Sequence, residues 1–570
     1  MDSPLLHTAQ SYTPSQESLP PQNVQYRLRL PSGLPAHFTP LNPLTFVLRA
    51  ALIHPNKLAL AHPDVQHPRF YTFAVWCQRI QNLAYALIKY GIQPGDRVAI
   101  ISPNCPLIAD AHWGVLAARA VVTPINFRLT KPEVDYIIEH SGSKLVLVDH
   151  EFASLAEGIT VPVVISQDTG LPDDPYEKFL AEGRHFSQER GWAGLDMDPN
   201  EDANATLCYT SGTTGRPKGV MTSLRGSYLA AIANAFEAKL SFDSVYLWVL
   251  PMFHAAGWTY PWSAVFAFST QVTIRAVRFP DIWKHFIKSG VTHYCGAPTV
   301  QIGIVNAPEG RVLERPINAV IAGSSPTSHL IGELEKKNIH VTHVYGLTDT
   351  YGPFTRCYSR PEWREWSLEK RAEAMARQGH SFATADELRV VYSDGGDLLR
   401  DVPADGKTLG EIVVRGNILM KEYFKSPEET RAALRGGFFH TGDLAVHYPD
   451  GTVLISDRSK DLIISGGENA SSLAIEQELA KFPDVLEVSV IARAHPKWGE
   501  RPMAFVILQP HAEARWKGKE AEFEKELKRF AQKGLPGFAR PEWVKVVKDL
   551  PKTSTGKIQK NVLRKTVAKL

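Results

Sequence analysis

The chain has 570 residues, too many for one ordinary domain, so its length predicts a large multi-lobed body plus something smaller. Composition is globular, with 44% hydrophobic and 22% charged residues, and a net charge of +3 gives no argument for a nucleic-acid or membrane-surface partner. No run approaches the roughly 18 unbroken apolar residues that span a bilayer, and five cysteines without CxxC spacing read as buried thiols, not as bridges or zinc ligands.

Residues 1–40 begin with 24 positions rich in Pro, Ser and Gln that hold no Lys or Arg and no apolar core. That excludes a secretory signal or transit peptide and predicts a loose N-terminal extension. From Leu41 the pattern alternates helix and strand. Residues 73–90 carry apolar positions at helical spacing, with Gly91 as a stop, and 97–101 form a short buried strand. A helix over 107–120 and a strand over 145–148 follow, and the same rhythm resumes over 229–343. Repeated βα units predict parallel sheets covered by helices. Residues 361–379, with Trp and Met anchors among charges, read as a surface helix. From near Asp386 shorter strands, such as 411–415 and 451–455, predict a small β-rich lobe. Beyond Asp457 come a helix (473–481), strands (486–492 and 504–508) and a charged helix (519–532), enough for a separate domain. The expected fold is α/β: a large N-terminal domain (41–459) of two helix-covered sheets plus a β lobe, and a smaller α+β C-terminal domain (460–567).

The segment richest in chemistry is Tyr209-Thr210-Ser211-Gly212-Thr213-Thr214-Gly215-Arg216-Pro217-Lys218-Gly219, which follows the apolar run 205–208. Glycines let the backbone turn tightly and aim N–H groups into a concavity suited to anionic oxygens; the hydroxyls and Lys218 add donors and charge. It is not a Walker A loop, because Arg216-Pro217 separate Gly215 from the lysine. A flexible Ser/Gly linker would not sit behind an apolar strand, so phosphate binding is the better reading.

Six further motifs follow in order: Pro251-Met252-Phe253-His254, Tyr345-Gly346-Leu347-Thr348-Asp349, His440-Thr441-Gly442-Asp443, Asp457-Arg458-Ser459-Lys460-Asp461, Gly466-Gly467-Glu468-Asn469 and Pro551-Lys552-Thr553-Ser554-Thr555-Gly556-Lys557. With the glycine-rich loop, they resemble the acyl-adenylate-forming superfamily over roughly 41–560. That superfamily comprises acyl- and aryl-CoA synthetases, peptide-synthetase adenylation domains and beetle luciferases. The resemblance implies an enzyme that uses ATP, Mg²⁺ and coenzyme A. It assigns the 210–218 loop to the leaving phosphates and Lys557 to the carboxylate and α-phosphate. Tyr345 would face adenine, Thr348 the α-phosphate, Asp443 the ribose, and Arg458 the ribose or phosphate. Gly323 and Ser324 would run along the adenine and acyl pocket. Asp349 departs from the Glu that most relatives carry as a Mg²⁺ ligand: the charge is kept and one methylene is lost. His254 would gate the acyl tunnel, with Trp258 as its wall and Gly346 beside it, although a core His beside a core Trp is the plainer reading. Lys460 resembles the hinge, and Ser465-Gly466-Gly467 would line the pantetheine tunnel once the small domain has rotated.

An amino-acid adenylating enzyme would carry an Asp shortly after Phe253 to pair with the substrate ammonium; here Ala and Gly follow, and Phe242-Asp243 lies upstream of the motif. A buried ammonium without a partner would be costly. The expectation is an acyl-CoA synthetase for a fatty, aryl or secondary-metabolite acid, releasing pyrophosphate. An acyl-AMP ligase donating to a carrier protein is the alternative, and a non-catalytic binding protein is disfavoured because Lys218, Asp443, Arg458 and Lys557 are all present. The tail Ala568-Lys569-Leu570 is a variant of the Ser-Lys-Leu address read by the peroxisomal import receptor, with the cytoplasm as the alternative location. Oligomeric state is left open.

Overall fold

Strands buried on both faces must be apolar through most of their length, and Arg97–Ile101, Val121–Ile125 and Leu145–Asp149 are, with the charged Arg97 and Asp149 at strand ends and Thr123 the one polar interior residue. The structure is a computed structural model and describes residues 4–187, 190–210, 216–393, 396, 398–553 and 557–567. Among the described residues these three strands run parallel with Val163–Ser166 and Asn204–Tyr209. Antiparallel Gly219–Ser223 and Glu422–Tyr423 complete a seven-stranded sheet. A nine-stranded sheet has Leu58–His62, Thr270–Thr273, Val245–Trp248, His293–Gly296, Ile317–Ile321 and Ile339–Leu347 parallel at its centre. Its antiparallel edges are Arg69–Thr72 on one side and Gly352–Arg356 with His380–Ser381 on the other.

The helices Phe73–Lys89 and Pro106–Ala117 are buried nearly all round, and their apolar cluster takes in residues of both sheets. The helix expected to reach residue 120 ends at Ala117. Arg119 takes a left-handed φ of 59°, and the chain passes directly into Val121–Ile125. The β lobe is an antiparallel sheet of Glu387–Val391, Leu409–Arg415, Phe439–His447 and Val453–Arg458. Beyond it, Ile463–Ser465, Glu468–Ala470, Val485–His495, Gly499–Leu508 and Trp543–Val546 form the small domain's sheet. The helices Ser472–Leu479 and Glu520–Gly534 close a separate core over it through Ile475, Leu479, Phe523 and Leu527.

One expectation needs correction. The N-terminal extension is not loose: Tyr12 meets Phe70 and Tyr71 edge-on at 6.0 Å, Leu28 is buried, and Arg79 donates to Ser18 Oγ at 3.3 Å. These side chains dock singly, so no periodicity announces them. The segment 361–379 holds a 3₁₀ turn (Pro361–Glu365) and a surface helix (Leu368–Met375), anchored by the buried Trp363 and Ala372. All five cysteines are buried free thiols.

The two large sheets are joined by ion pairs. Arg275, just past Thr270–Thr273, reaches Asp149 at 2.7 Å and Asp168 at 2.5 Å, and Asp168 also takes Arg69 at 2.6 Å and His62 at 3.1 Å. Asp149 and Asp168 stand near Cys105 in an arrangement that could hold a metal, but the guanidinium of Arg275 already supplies their cation. Removing one partner of a buried pair leaves an uncompensated charge. Arg275→Met is therefore expected to lower stability by about 3–5 kcal/mol, seen as a lower thermal midpoint; an unchanged midpoint would show that Asp149 is neutralised by another group.

Candidate active site

In open α/β sheets, ligands sit beyond the carboxyl ends of the strands. Here Ile317–Ile321 leads to Gly323 and Ser324, and Ile339–Leu347 carries Tyr345 and Gly346 and leads to Thr348 and Asp349. The hairpin Asn204–Tyr209/Gly219–Ser223 adds Thr210 and Lys218, the β lobe adds Asp443 and Arg458, and the small domain adds Lys557. All of these border one cavity of about 1960 Å³, together with His254, Trp258 and Lys460. Gly346 has a backbone reason to be glycine: a Cβ there would stand 1.8 Å from the Gly352 carbonyl oxygen, where the strand register slips.

Asp443 anchors the polar end. Its carboxylate accepts from Tyr345 Oη at 2.7 Å and lies 3.3 Å from Arg458 Nε, opposite it in the strand pair. The loss of water and the adjacent carboxylate push the Tyr345 phenol far above its ordinary pKa, so it stays a donor. Glu411 supports the turn by accepting from the Gly442 N–H at 3.0 Å and bonding His440 at 2.9 Å.

At the loop neck, Thr210 N–H donates to the Lys218 carbonyl at 2.9 Å and Lys218 N–H to Thr210 Oγ1 at 3.2 Å. Ser211, Gly212, Thr213, Thr214 and Gly215 lie outside the described residues. Lys218 pairs with Glu429 at 2.9 Å and stands 4.9 Å from the centre of the Tyr423 ring. Tyr423 in turn donates its hydroxyl to Asp349, whose carboxyl burial pushes upward. Tyr423 and Glu411 escaped the sequence reading, since neither lies in a spacing pattern.

The other end of the cavity is apolar. Phe253, Ala255, Trp258 and Val344 share one buried cluster and all line the cavity. The backbone there is strained: Ala255, Trp258 and Thr259 have φ of 41°, 50° and 69°, a conformation that costs non-glycine residues on the order of 1–3 kcal/mol each. Such strain concentrates at ligand sites. Burial, with the charge of Lys557 nearby, pushes His254 down to about 4, so its imidazole is neutral near pH 7.

Lys557 is tied to Thr553: Thr553 N–H donates to the Lys557 carbonyl at 2.7 Å and Lys557 N–H to Thr553 Oγ1 at 3.1 Å. Burial and then Arg458 lower its pKa to about 8. Lys460 sits in the turn that links β lobe to small domain, where Asp461 and Leu462 N–H both donate to the Arg458 carbonyl. Ser465, Gly466 and Gly467 do not border the cavity; they form a turn of the small domain at a distance from it.

A site that joins the Thr210/Lys218 hairpin, the buried Asp443 carboxylate and Lys557 of the small domain has counterparts among known proteins. The AMP-binding enzyme family model matches residues 47–424, and the AMP-binding enzyme C-terminal domain matches 474–557. The chain belongs to the AMP-binding enzyme family. It is 40% identical over 558 residues to the peroxisomal acetate/butyrate–CoA ligase of Arabidopsis thaliana, covering 93% of this chain and 95% of that one. It is 34% identical to that plant's peroxisomal benzoate–CoA ligase, over 93% and 94% of the two chains. The ATP-bound crystal structure of MatB from Rhodopseudomonas palustris superposes with a TM-score of 0.77 at 25% identity, covering 92% of this chain and 99% of that one. The enzyme is an AMP-forming acid–thiol ligase, with ATP and CoA as substrates of the family.

The lowered pKa of Lys557 is directly measurable. Its amine is expected to react with an acylating reagent with a midpoint near pH 8, read by mass spectrometry of the modified peptide. MgATP should move that midpoint upward, since phosphate charge favours the ammonium. The midpoint of an ordinary exposed lysine would show that Lys557 is not desolvated in the free enzyme.

Proposed function

We propose that this enzyme activates a short carboxylic acid with an uncharged chain as its adenylate and then forms the CoA thioester. The observation that carries this reading is the apolar end of the cavity, walled by Trp258 beside a neutral His254, in the same cavity as Lys557. The relatives matching at 40% identity are named for acetate and for acetate/butyrate, which supports a short aliphatic acid over an aromatic one.

In the first half-reaction a carboxylate oxygen bonds the α-phosphorus while the bond to pyrophosphate breaks. Two anions must meet, so charge has to be gathered before they do. Lys557 neutralises the carboxylate and the α-phosphate, and Thr348 offers its hydroxyl to the same phosphate. Thr210, Lys218 and the loop between them hold the departing phosphates. Asp443, already oriented by Tyr345 and Arg458, accepts from the ribose hydroxyls, and Tyr345, Gly323 and Ser324 border the adenine. Asp349 suits a magnesium ion: it is a hard oxygen donor at the cavity wall, fixed through Tyr423. With Thr348 it would hold the ion, which supplies charge neutralisation on the triphosphate. In the second half-reaction the CoA sulfur bonds the acyl carbon as AMP leaves. Rotation about Lys460 would exchange Lys557 for the face bearing Ser465, Gly466 and Gly467. Several relatives are named peroxisomal; the same address is proposed here, with Ala568-Lys569-Leu570, which lie outside the described residues, as the peptide read by the import receptor.

Three measurements test this. Lys557→Ala should cut acid-dependent pyrophosphate release on the order of a hundredfold or more. In the wild type kcat/KM should fall as pH rises through about 8, where the ammonium is lost. Lys557→Arg should abolish that break, and a break that persists would assign it to another group. Trp258→Gly should shift preference toward longer acids by about tenfold in kcat/KM; an unchanged chain-length profile would show that Trp258 does not bound the acyl site.

A further inference from the structure

Outside the cavity, one guanidinium holds an unusual number of partners. Arg501 lies on the strand Gly499–Leu508 with only 11% of its side chain exposed. Its Nη1 donates to Ser465 Oγ at 3.1 Å, to the Gly537 carbonyl at 3.1 Å and to the Phe538 carbonyl at 2.9 Å. Nη2 donates to the Arg540 carbonyl at 3.1 Å, and Nε to Glu542 Oε2 at 3.3 Å. None of these groups borders the cavity that holds Lys557.

The geometry couples two pieces of chain that are remote in sequence. One is the turn Ser465-Gly466-Gly467, whose glycines have φ of 64° and 88° and stand exposed. The other is the loop 537–542. The turn closes the hairpin of Ile463–Ser465 with Glu468–Ala470, in which Ser465 stands opposite Glu468; beyond the hairpin, Ser465 pairs with Gly499 and Gly466 N–H donates to the Trp498 carbonyl at 2.8 Å. The hairpin sets the shape of this two-glycine turn, but where the turn lies relative to the 537–542 loop depends on contacts from outside the hairpin. Ile464 and Trp498 flank the turn at 55% and 44% exposure, large apolar side chains left uncovered around bare backbone. That is what a ligand-facing surface requires. A planar fork with five donors can bind the turn and the loop at once, whereas an ammonium is a point charge with three donors.

We propose that Arg501 is a positioning residue for the thioester half-reaction. It presets the 465–467 turn against the 537–542 loop, so that this face meets CoA already shaped. The inference rests on the reading that the 465–467 turn serves the thiol step. Preorganised sites avoid the ordering cost at the moment of reaction, and misplacement by about an ångström can cost roughly a hundredfold.

The test separates the half-reactions in Arg501→Lys and Arg501→Gln. Acid-dependent pyrophosphate–ATP exchange should stay at the wild-type rate. Exchange uses Lys557 from the same small domain, so a wild-type rate also certifies that this domain is folded and docked. CoA-dependent AMP release should show a KM for CoA raised about tenfold or more, with the larger effect in the Gln variant. Equal losses in both half-reactions, in Lys and Gln variants alike, would overturn the proposal and reduce Arg501 to a fold determinant. An unchanged KM for CoA would overturn it as well. Wild-type enzyme that exchanges pyrophosphate yet makes no thioester would instead overturn the CoA reading itself, and the inference with it.

Discussion

The Asp443 carboxylate is the point at which the separate parts of the large domain are brought into register. Tyr345 reaches it from a strand of the nine-stranded sheet, and Arg458 reaches it from the last strand of the β lobe. The residue is only 4% exposed, and a carboxylate so placed is tolerable only when paired and hydrogen-bonded. Arg458 is also the last residue of its strand, and its carbonyl holds the turn at Asp461. One buried charge therefore fixes the angle of the lobe and the point from which the small domain departs.

Around this anion the cations are in excess. Lys557 and Lys460 both have lowered pKa values, caused first by burial and then by Arg458, with Asp443 and Asp461 offsetting only part of the effect. Such crowding costs free energy in the empty site and is relieved by a polyanion. The opposite end of the cavity carries the reverse chemistry, with a neutral His254 and a buried Trp258 on strained backbone. The site is thus divided into a cation-rich half suited to a triphosphate and an apolar half suited to an uncharged chain. The carboxylate of the acid is the one group that belongs to both.

Much of this was legible in local sequence. Helix Phe73–Lys89 and strand Arg97–Ile101 follow hydrophobic periodicity, and the four-hydroxyl loop advertises its donors. The cavity residues from Thr348 to Lys557 were readable only through resemblance, because a lone Asp or Lys has no period. What stayed hidden depends on distance along the chain. Tyr423 finds Asp349 across 74 residues, Arg275 finds Asp149 across 126, and Arg79 finds Ser18 across 61. The misplaced end of the helix Pro106–Ala117 is a different failure: an alanine-rich run has helical propensity throughout, and a single left-handed Arg119 overrides it.

The departure at Asp349 shows how such distant contacts offset a local change. Shortening the acid by one methylene withdraws its carboxylate from the cavity but also removes a rotatable bond. Tyr423 takes up the remaining side-chain freedom, and Met420 N–H fixes the backbone by donating to the Asp349 carbonyl at 2.8 Å. Both partners come from the segment that pairs with Gly219–Ser223, the strand immediately after Lys218. The acid and the lysine of the phosphate loop are thereby referred to the same edge strand. A shorter carboxylate held by Tyr423 has one fixed position at the cavity wall where a longer free one would have several, so the contacts around Asp349 exchange reach for order.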